Sequence, residues 1–431
     1  MKRFSASARL VAAIVISVAG LPAEAAAQHW RTTGMAAFDT VWQIVHDTHY
    51  DPDFGGIDWA AVRSELRPRA EAAASADDQR AIIRDMLGRL GQSHFALLTT
   101  APAADDLRGP AGMPFDVRVT PAGLLVTRLH SPAAAPVQPG DRIVHIDNVA
   151  LAGLMADVNA ADPRGAYLGW RRVMRELSGD DGTVVHLGVE RAGAEARDVA
   201  MRRAIAPGEL VKIGNLPAMQ ARLESEEHQT TMHRRVGVIR FNIWMTSIAE
   251  PFAGAVDRFR DADGLVIDLR GNPGGLADMI RGIAGHLVDE PVVLGRMRMR
   301  GLELAFRANP RRSTSDGRRV TPFAGPVAVL VDGLTASASE CFAGALQSLR
   351  RVRVFGTRTL GQALPASTQQ LANGDVLLHA VGDFVTSTGR RIEGPGVVPD
   401  VEVPLDPAAL ASGRNALQAA LDWIDTTPPH K

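Results

Sequence analysis

Apolar residues recur at helical spacing through the first part of the chain, from residue 29 to about residue 99. One run covers residues 38–45 and a second covers residues 81–87. Apolar positions three and four residues apart lie on one face of a helix. Asp51-Pro52-Asp53 and Gly55-Gly56 interrupt this pattern and predict a loop between helices. We therefore expect an N-terminal helical region.

Short apolar runs with turn residues between them replace this pattern after residue 112. The predicted strands cover residues 124–129, 142–146 and 183–190. A segment rich in proline, alanine and aspartate, residues 101–112, precedes them and is typical of a linker. These features predict a small β-rich domain that ends near Ala204.

Strands and helices alternate through the remainder of the chain. The predicted strands are residues 236–241, 265–269, 327–331 and 352–355, and the predicted helices are residues 248–259, a helix ending near residue 288 and another ending near residue 349. This order implies parallel strands joined by crossover helices, which is an α/β fold. Asn373-Gly374 stands between two alternating runs and predicts a hairpin turn.

The first 27 residues have the order of a secretory signal peptide. Lys2, Arg3 and Arg9 supply positive charge, residues 10–21 are apolar, and residues 22–27 offer small residues for cleavage after Ala25 or Ala27. The apolar run is short for a membrane span. We expect an exported protein, periplasmic or extracellular, with no stable membrane span after cleavage.

Composition removes several function classes. The formal net charge is −1 and charged residues make up 22% of the chain, without a long basic run, so nothing indicates a nucleic-acid partner. Cys341 is the single cysteine, so no intramolecular disulfide can form. We interpret it as a buried structural cysteine on a helix. His46 and His49 are three residues apart without a third metal ligand at a diagnostic spacing, and we expect neither a metal nor a cofactor.

Two turns after buried strands could carry chemistry. In residues 332–340, a serine between a strand and a helix can project its hydroxyl beyond the sheet, where free amides at the helix start stabilise an oxyanion. Ser337 is the candidate nucleophile, while Ser339 and Thr335 compete for the role or could cap the helix. In residues 268–275 the glycines allow a tight turn, but no Gly-Lys-Ser/Thr follows, so this is not a phosphate-binding loop.

The two turns together, DLRGNPGG and TASASE, resemble the C-terminal processing and tricorn-type serine peptidases. The similarity continues through residues 389–394 and 396–400 and through PDZ-like pieces at residues 131–134, 139–143 and 146–147. It covers nearly the whole chain after residue 27. The resemblance implies a crotonase-like catalytic domain at residues 205–425. It also implies a PDZ-like domain at residues 105–204, after a helical region at residues 28–104.

The resemblance also implies the site. The nucleophile position is Ser337, and the oxyanion donors are the amides of Ala338 and of the Gly274-Gly275 turn. The processing peptidases use a lysine base twenty-five residues after the nucleophile, where this chain has Gln362. Arg358 is the closest cation, and its guanidinium cannot act as a neutral base.

The tricorn-type branch instead takes a histidine preceded by a serine, and a distant glutamate. Those positions here are His94, Ser93 and Glu393. A serine hydroxyl needs an adjacent base, and a histidine can take its proton near neutral pH. Ser93 and Glu393 would orient the ring and favour its charged form.

A PDZ-like domain can hold a peptide by its terminal carboxylate on a loop of backbone N–H groups. The candidate loop contains Gly112, Met113 and Phe115, while Pro114 lacks an N–H. The substrate would be a peptide or protein, with its C-terminus as the candidate point of binding. Two alternatives stay open: a catalytically silent binding protein on the same scaffold, and a Ser–Lys peptidase whose lysine comes from elsewhere in the chain.

Overall fold

The computed structural model describes residues 23–99, 107–130, 136–191, 193–212, 214, 218–314 and 316–428. The predicted signal-peptide residues 1–22, linker residues 101–106 and the PDZ-like piece at 131–134 lie outside these ranges. Among the described residues, no helix has the length and apolarity needed to cross a membrane. We refer below to an N-terminal region (residues 23–99), a middle region (107–204) and a C-terminal region (205–428).

Three helices form the N-terminal region, as predicted: α1 (Ala23–Thr48), α2 (Trp59–Glu71) and α3 (Ala76–Gly88). The Asp58 carboxylate caps α2 and the Ser75 hydroxyl caps α3, since each accepts an N–H of the first turn. Phe38, Val41 and Val45 are fully buried in the core between the helices. A short strand, β1 (Ala96–Leu98), follows the residue 90–95 segment.

The middle region is an antiparallel sheet covered by a helix. Its elements are β2 (Phe115–Thr120), β3 (Gly123–Leu129), β4 (Arg142–Ile146), β5 (Val149–Ala150), α4 (Leu151–Leu154), α5 (Pro163–Leu177), β6 (Val184–Glu190) and β7 (Arg197–Arg202). The main strand order is β2-β3-β4-β6-β7. Val126, Leu187 and Val173 of α5 meet in one core. The predicted strands are therefore confirmed, and α5 is an element that the sequence pattern did not predict.

The C-terminal region contains more elements than the sequence predicts. They are β8 (Glu209–Val211), β9 (Met219–Ala221), β10 (Leu223–Gln229), β11 (Arg235–Phe241), α6 (Ala249–Arg258), β12 (Gly264–Asp268), α7 (Met279–Ala284), β13 (Val292–Met299), β14 (Leu302–Ala308), β15 (Val327–Val331), α8 (Ala338–Ser348), β16 (Arg353–Gly356), β17 (Ala366–Gln370), β18 (Val376–Ala380), β19 (Gly382–Thr386), β20 (Val401–Glu402), α9 (Pro407–Ala411) and α10 (Ala416–Thr426).

A six-stranded sheet of order β10-β11-β12-β15-β16-β20 is the centre of this region. All neighbours from β11 to β20 are parallel, and β10 is antiparallel at one edge. Every residue of β12 and β15 is buried, as expected for parallel strands covered on both faces. The predicted α/β architecture with parallel strands is confirmed.

Two smaller sheets complete the region. One has the order β14-β13-β19, and the other, β1-β18-β17, joins the N-terminal region to the C-terminal region. The β17–β18 hairpin turns at Asn373-Gly374 as predicted, with the Gly374 N–H donating to Leu371 O. Strands β13 and β14 are not predicted, because the arginines of β13 and the exposed residues of β14 hide the alternation. The helix predicted to reach residue 288 ends at Ala284, where glycines at 282 and 285 disfavour its continuation.

Candidate active site

The two turns with candidate chemistry leave adjacent strands at the same sheet edge. Strand β12 ends at Asp268 and β15 ends at Val331, and these strands pair in parallel with Asp268 opposite Leu330. The carboxyl ends of neighbouring parallel strands are where α/β proteins place ligands. The Gly271–Gly275 turn and the start of α8 therefore meet. A Cβ added to Gly274 would lie 2.6 Å from Ser337 Cβ and 2.9 Å from Ala338 N.

Ser337 stands immediately before α8 in a backbone conformation rare for a non-glycine residue, with φ 54° and ψ −121°. Its N–H donates to Gln362 O at 2.8 Å and to Glu340 Oε2 at 3.1 Å. These bonds hold the residue in a conformation that would otherwise be costly.

The structure separates Ser337 from its two rivals. Thr335 is fully buried and its hydroxyl donates to Leu269 O. Ser339 is also fully buried, and its hydroxyl accepts the indole N–H of Trp244 at 2.8 Å. Both hydroxyl groups thus have structural partners away from solvent, whereas Ser337 lines a shallow pocket.

That pocket has an apolar lining. The elements α7, β13, β14, α8 and β19 and the segments before α7 and before β17 form it next to Ser337 and Ala338. The lining residues are Ala277, Ile280, Met297, Phe306, Cys341, Ala363, Leu364, Pro365 and Phe384. Cys341 is buried, as predicted, and burial raises the pKa of its thiol well above the usual value.

Two amides remain available at the predicted oxyanion position. In the described part of the chain, neither Ala338 N–H nor Gly275 N–H has a hydrogen-bond acceptor. The Gly274 N–H donates to Asn272 Oδ1 at 3.0 Å. Of the two predicted glycine amides, the one at Gly275 is thus left to pair with Ala338.

Ser93, His94 and Glu393 come together although the glutamate lies 300 residues from Ser93. The Ser93 hydroxyl donates to Glu393 Oε2 at 2.8 Å, and the Ser93 N–H donates to Glu393 Oε1 at 3.0 Å. The Ala363 N–H donates to Glu393 Oε2 as well. Ser93 Oγ is 2.8 Å from His94 Nδ1.

This geometry fixes the protonation of the imidazole. A serine hydroxyl has one proton, and Ser93 gives it to Glu393. His94 Nδ1 must then carry the proton that Ser93 Oγ accepts, which leaves Nε2 as the basic nitrogen. Burial lowers the pKa of His94, and the charge of Glu393 opposes this shift. The structure describes both His94 and Ser337, and no hydrogen bond joins these two residues.

The sequence assigns no role to Glu340 or to the backbone of Gln362, although Glu340 is the last residue of the TASASE motif. Glu340 is fully buried and accepts four hydrogen bonds, from Thr359 Oγ1 and the amides of Ser337, Gly361 and Gln362. Burial raises the pKa of Glu340 to about 7, against the effect of these donors. Gln362 takes part in the site through its backbone, since its N–H donates to Glu340 and its carbonyl accepts the Ser337 N–H. The Arg358 guanidinium donates to the carbonyls of Pro395 and Gly394.

The remaining predicted residues lie elsewhere. In the candidate peptide loop, the Gly112 N–H donates to Ala204 O, and Met113 and Phe115 are buried in the core of the middle region. The ring nitrogens of His49 contact Asp51 O and Gln92 Oε1, and His46 Nδ1 contacts Asp47.

These features are typical of the serine-type peptidases. A serine stands between a strand and a helix beside two free amides, and an imidazole is hydrogen-bonded to a second serine, which donates to a buried glutamate. Residues 235–403 match peptidase family S41 and residues 32–88 match the Tricorn protease C1 domain. Residues 235–403 are therefore an S41 peptidase domain, and the chain is a serine peptidase.

Similar proteins agree with this assignment. The chain is 27% identical to the carboxyl-terminal-processing protease of Synechocystis sp. over 404 residues, 89% of this chain and 85% of the relative. Among solved structures, the photosystem II D1 C-terminal processing protease matches with a TM-score of 0.57 at 22% identity, covering 90% of this chain and 98% of that one. Mature CPAF matches with a TM-score of 0.61 at 14% identity, covering 92% and 96%. The two structural matches show the fold.

Proposed function

We propose that the chain is an exported endopeptidase that hydrolyses peptide bonds through an acyl-enzyme on Ser337, with His94 as general base. The observation that carries this proposal is the hydrogen-bonded series from Glu393 through Ser93 to His94 Nδ1. It leaves Nε2 as the base and places a negative charge where an imidazolium would form. This is the role that a third residue has in serine peptidases.

The reaction follows from these groups. His94 Nε2 takes the Ser337 hydroxyl proton as Oγ attacks the substrate carbonyl, and the carbonyl oxygen becomes an oxyanion between the Ala338 and Gly275 amides. His94 then gives the proton to the leaving amine. A water molecule, activated by the same nitrogen, hydrolyses the acyl-enzyme. For the first step, substrate binding must bring Ser337 and His94 into hydrogen-bond contact, as apo sites often require.

The chain contains few lysines that could act as the base of a Ser–Lys peptidase. Lysine occurs only at positions 2, 212 and 431. Lys2 is in the predicted signal peptide, and Lys212 is exposed after β8. The position of the expected lysine is Gln362, whose N–H and carbonyl already bond to Glu340 and Ser337.

We propose a helical region at residues 28–104, a PDZ-like domain at residues 105–204 and a catalytic domain at residues 205–425. An antiparallel sheet with α5 against it supports a PDZ-like middle region, and parallel strands with crossover helices support a crotonase-like catalytic region. A peptide strand added beside β2 would take the substrate in the extended form that such domains bind. The apolar pocket next to Ser337 suits an apolar side chain before the scissile bond.

Labelling with a fluorophosphonate probe tests the mechanism. The chain without residues 1–27 should be labelled, and Ser337→Ala and His94→Ala should each abolish labelling and peptide hydrolysis. Gln362→Ala, the matched control for a lysine-type site, should retain both. Equal labelling of wild type and His94→Ala would reject the base, and an unlabelled wild type would favour the silent binding protein.

A further inference from the structure

Arg118 of strand β2, in the middle region, forms a buried ion pair with Asp332, which lies on the turn before the nucleophile. Arg118 Nε donates to Asp332 Oδ2 at 2.7 Å, and the two side chains are only 9% and 5% exposed. The other oxygen of Asp332 accepts the N–H of Gly271 and the N–H of Leu334, each at 3.0 Å. One carboxylate thus connects Arg118 to the backbone of both turns that form the candidate oxyanion position.

Arg118 also lies directly against the glycine turn. Gly271 has φ +75°, and a Cβ at this position would lie 2.7 Å from Arg118 Nη2. The guanidinium therefore fills the space that a side chain would need, and the turn can approach it only with a glycine. From Gly271 the chain runs through Asn272 to the free amide of Gly275.

A second charged residue of β2 reaches the same strand ends. Asp116 Oδ2 accepts from Arg240 at 2.8 Å, and Arg240 donates to Asp268 at 3.0 Å. Asp268 in turn holds the Arg270 guanidinium and the Arg270 N–H. Arg118 and Asp116 therefore contact the C-terminal region through ion pairs that solvent screens little.

We propose that Arg118 is a positioning residue of the peptidase site, which acts through Asp332 to hold the glycine turn and the start of α8 at the spacing required by the oxyanion amides. The proposal rests on the proposed function. It makes the middle region a structural part of the catalytic site as well as a candidate peptide-binding module.

The physical argument concerns distance. Oxyanion donors act only when they lie within hydrogen-bond reach of the developing charge, and a misplacement of about 1 Å can cost about 10²-fold in rate. Without Arg118, Asp332 would be a buried carboxylate that has lost its hydrogen-bonded cation, and its side chain would rotate towards solvent or towards another cation. Either change loosens the two amide bonds that Asp332 accepts.

The experiment compares Arg118→Gln, Arg118→Lys, Asp332→Asn and the Arg118→Gln/Asp332→Asn double variant. Arg142→Gln is the matched control, since Arg142 pairs with Glu190 inside the middle region on an exposed surface. Hydrolysis of a reference peptide gives kcat and KM, fluorophosphonate labelling gives the rate of serine modification, and thermal unfolding reports the fold.

Arg118→Gln should lower kcat and the labelling rate together by about 10²-fold with KM changed less than about threefold. Arg118→Lys, which keeps a positive charge, should lose less. The double variant should be no slower than Arg118→Gln alone, because both substitutions remove one interaction. Arg142→Gln should match the wild type.

Three results would overturn the proposal: wild-type kcat in folded Arg118→Gln, additive losses in the double variant, or a change confined to KM. If Arg118→Gln does not fold, the double variant, which has no unpaired buried charge, decides in its place: a folded protein with a low kcat supports the proposal and a normal kcat rejects it. A wild type without hydrolysis or labelling contradicts the proposed function instead.

Discussion

At the scale of single residues, the candidate catalytic groups have unusual backbone conformations. Ser337 has φ 54° and His94 has φ 59°. Positive φ at a non-glycine residue costs about 1–3 kcal/mol, so neighbouring bonds must hold each residue. Ser337 is held through its N–H, and His94 lies next to Ser93, which Glu393 fixes through two hydrogen bonds. The conformations that cost stability are those that direct the reactive side chains.

The pH dependence of hydrolysis belongs to this scale. Burial lowers the pKa of His94, and the base is active when neutral, so the part of the acid limb of kcat/KM that is due to His94 should fall below the ordinary imidazole value of about 6.5. Glu393→Gln removes the charge that raises this pKa. The limb should then move to still lower pH while kcat falls, because the imidazolium loses its counter-charge. A limb that moves to higher pH in Glu393→Gln would contradict this arrangement.

At the scale of elements, Glu340 joins the start of α8 to the segment that follows β16. Its four donors come from both sides of this junction, Ser337 from the helix and Thr359, Gly361 and Gln362 from the segment. A carboxylate offers two oxygens that only accept. This junction fixes the nucleophile relative to the segment containing Ala363, whose N–H donates to Glu393.

Glu340→Gln should therefore weaken both stability and activity. The amide places an NH₂ group against donors, which leaves at least one buried donor without an acceptor at a cost of about 1–3 kcal/mol. Chemical denaturation should show this loss, and peptide hydrolysis should fall with it. Glu250→Gln, at an exposed position on α6, is the control and should leave both unchanged. Wild-type stability in Glu340→Gln would show that the junction does not depend on the carboxylate.

At the scale of the whole molecule, the candidate base and nucleophile belong to different regions. Strand β1, just after His94, pairs with β18 of the C-terminal region. In the turn of the β17–β18 hairpin, Asp375 is fully buried, and Arg80 of α3 donates to both of its carboxylate oxygens at 2.8 and 3.2 Å. The N-terminal helices are thereby attached to the three-stranded sheet β1-β18-β17 of the C-terminal region, which is separate from the six-stranded sheet that precedes the nucleophile turn.

Arg80→Ala should destabilise the protein by about 3–5 kcal/mol, because Asp375 would remain buried without its cation. Arg89→Ala removes exposed ion pairs with Asp85 and Glu65 and should cost less than about 1 kcal/mol. Equilibrium unfolding of the two variants measures the difference. Equal stability of both would mean that Arg80 does not anchor the N-terminal region.

The sequence by itself determined the helical character of the N-terminal region, three strands of the middle region (β3, β4 and β6) and the parallel direction of the main C-terminal strands, since burial follows the period of each element. Motif order indicated the family, and with it Ser337, His94 and Glu393 as candidates.

The tertiary structure alone decided the hydrogen-bond partners of the groups around the candidate nucleophile. Ser339 is engaged by Trp244, Gly274 N–H by Asn272, and Asp332 by Arg118, which lies 214 residues away. Local periodicity reports which face of an element is buried. It contains no information about which buried charges and donors meet across the fold, because contacts such as Arg118–Asp332 arise only when segments distant in the sequence pack together.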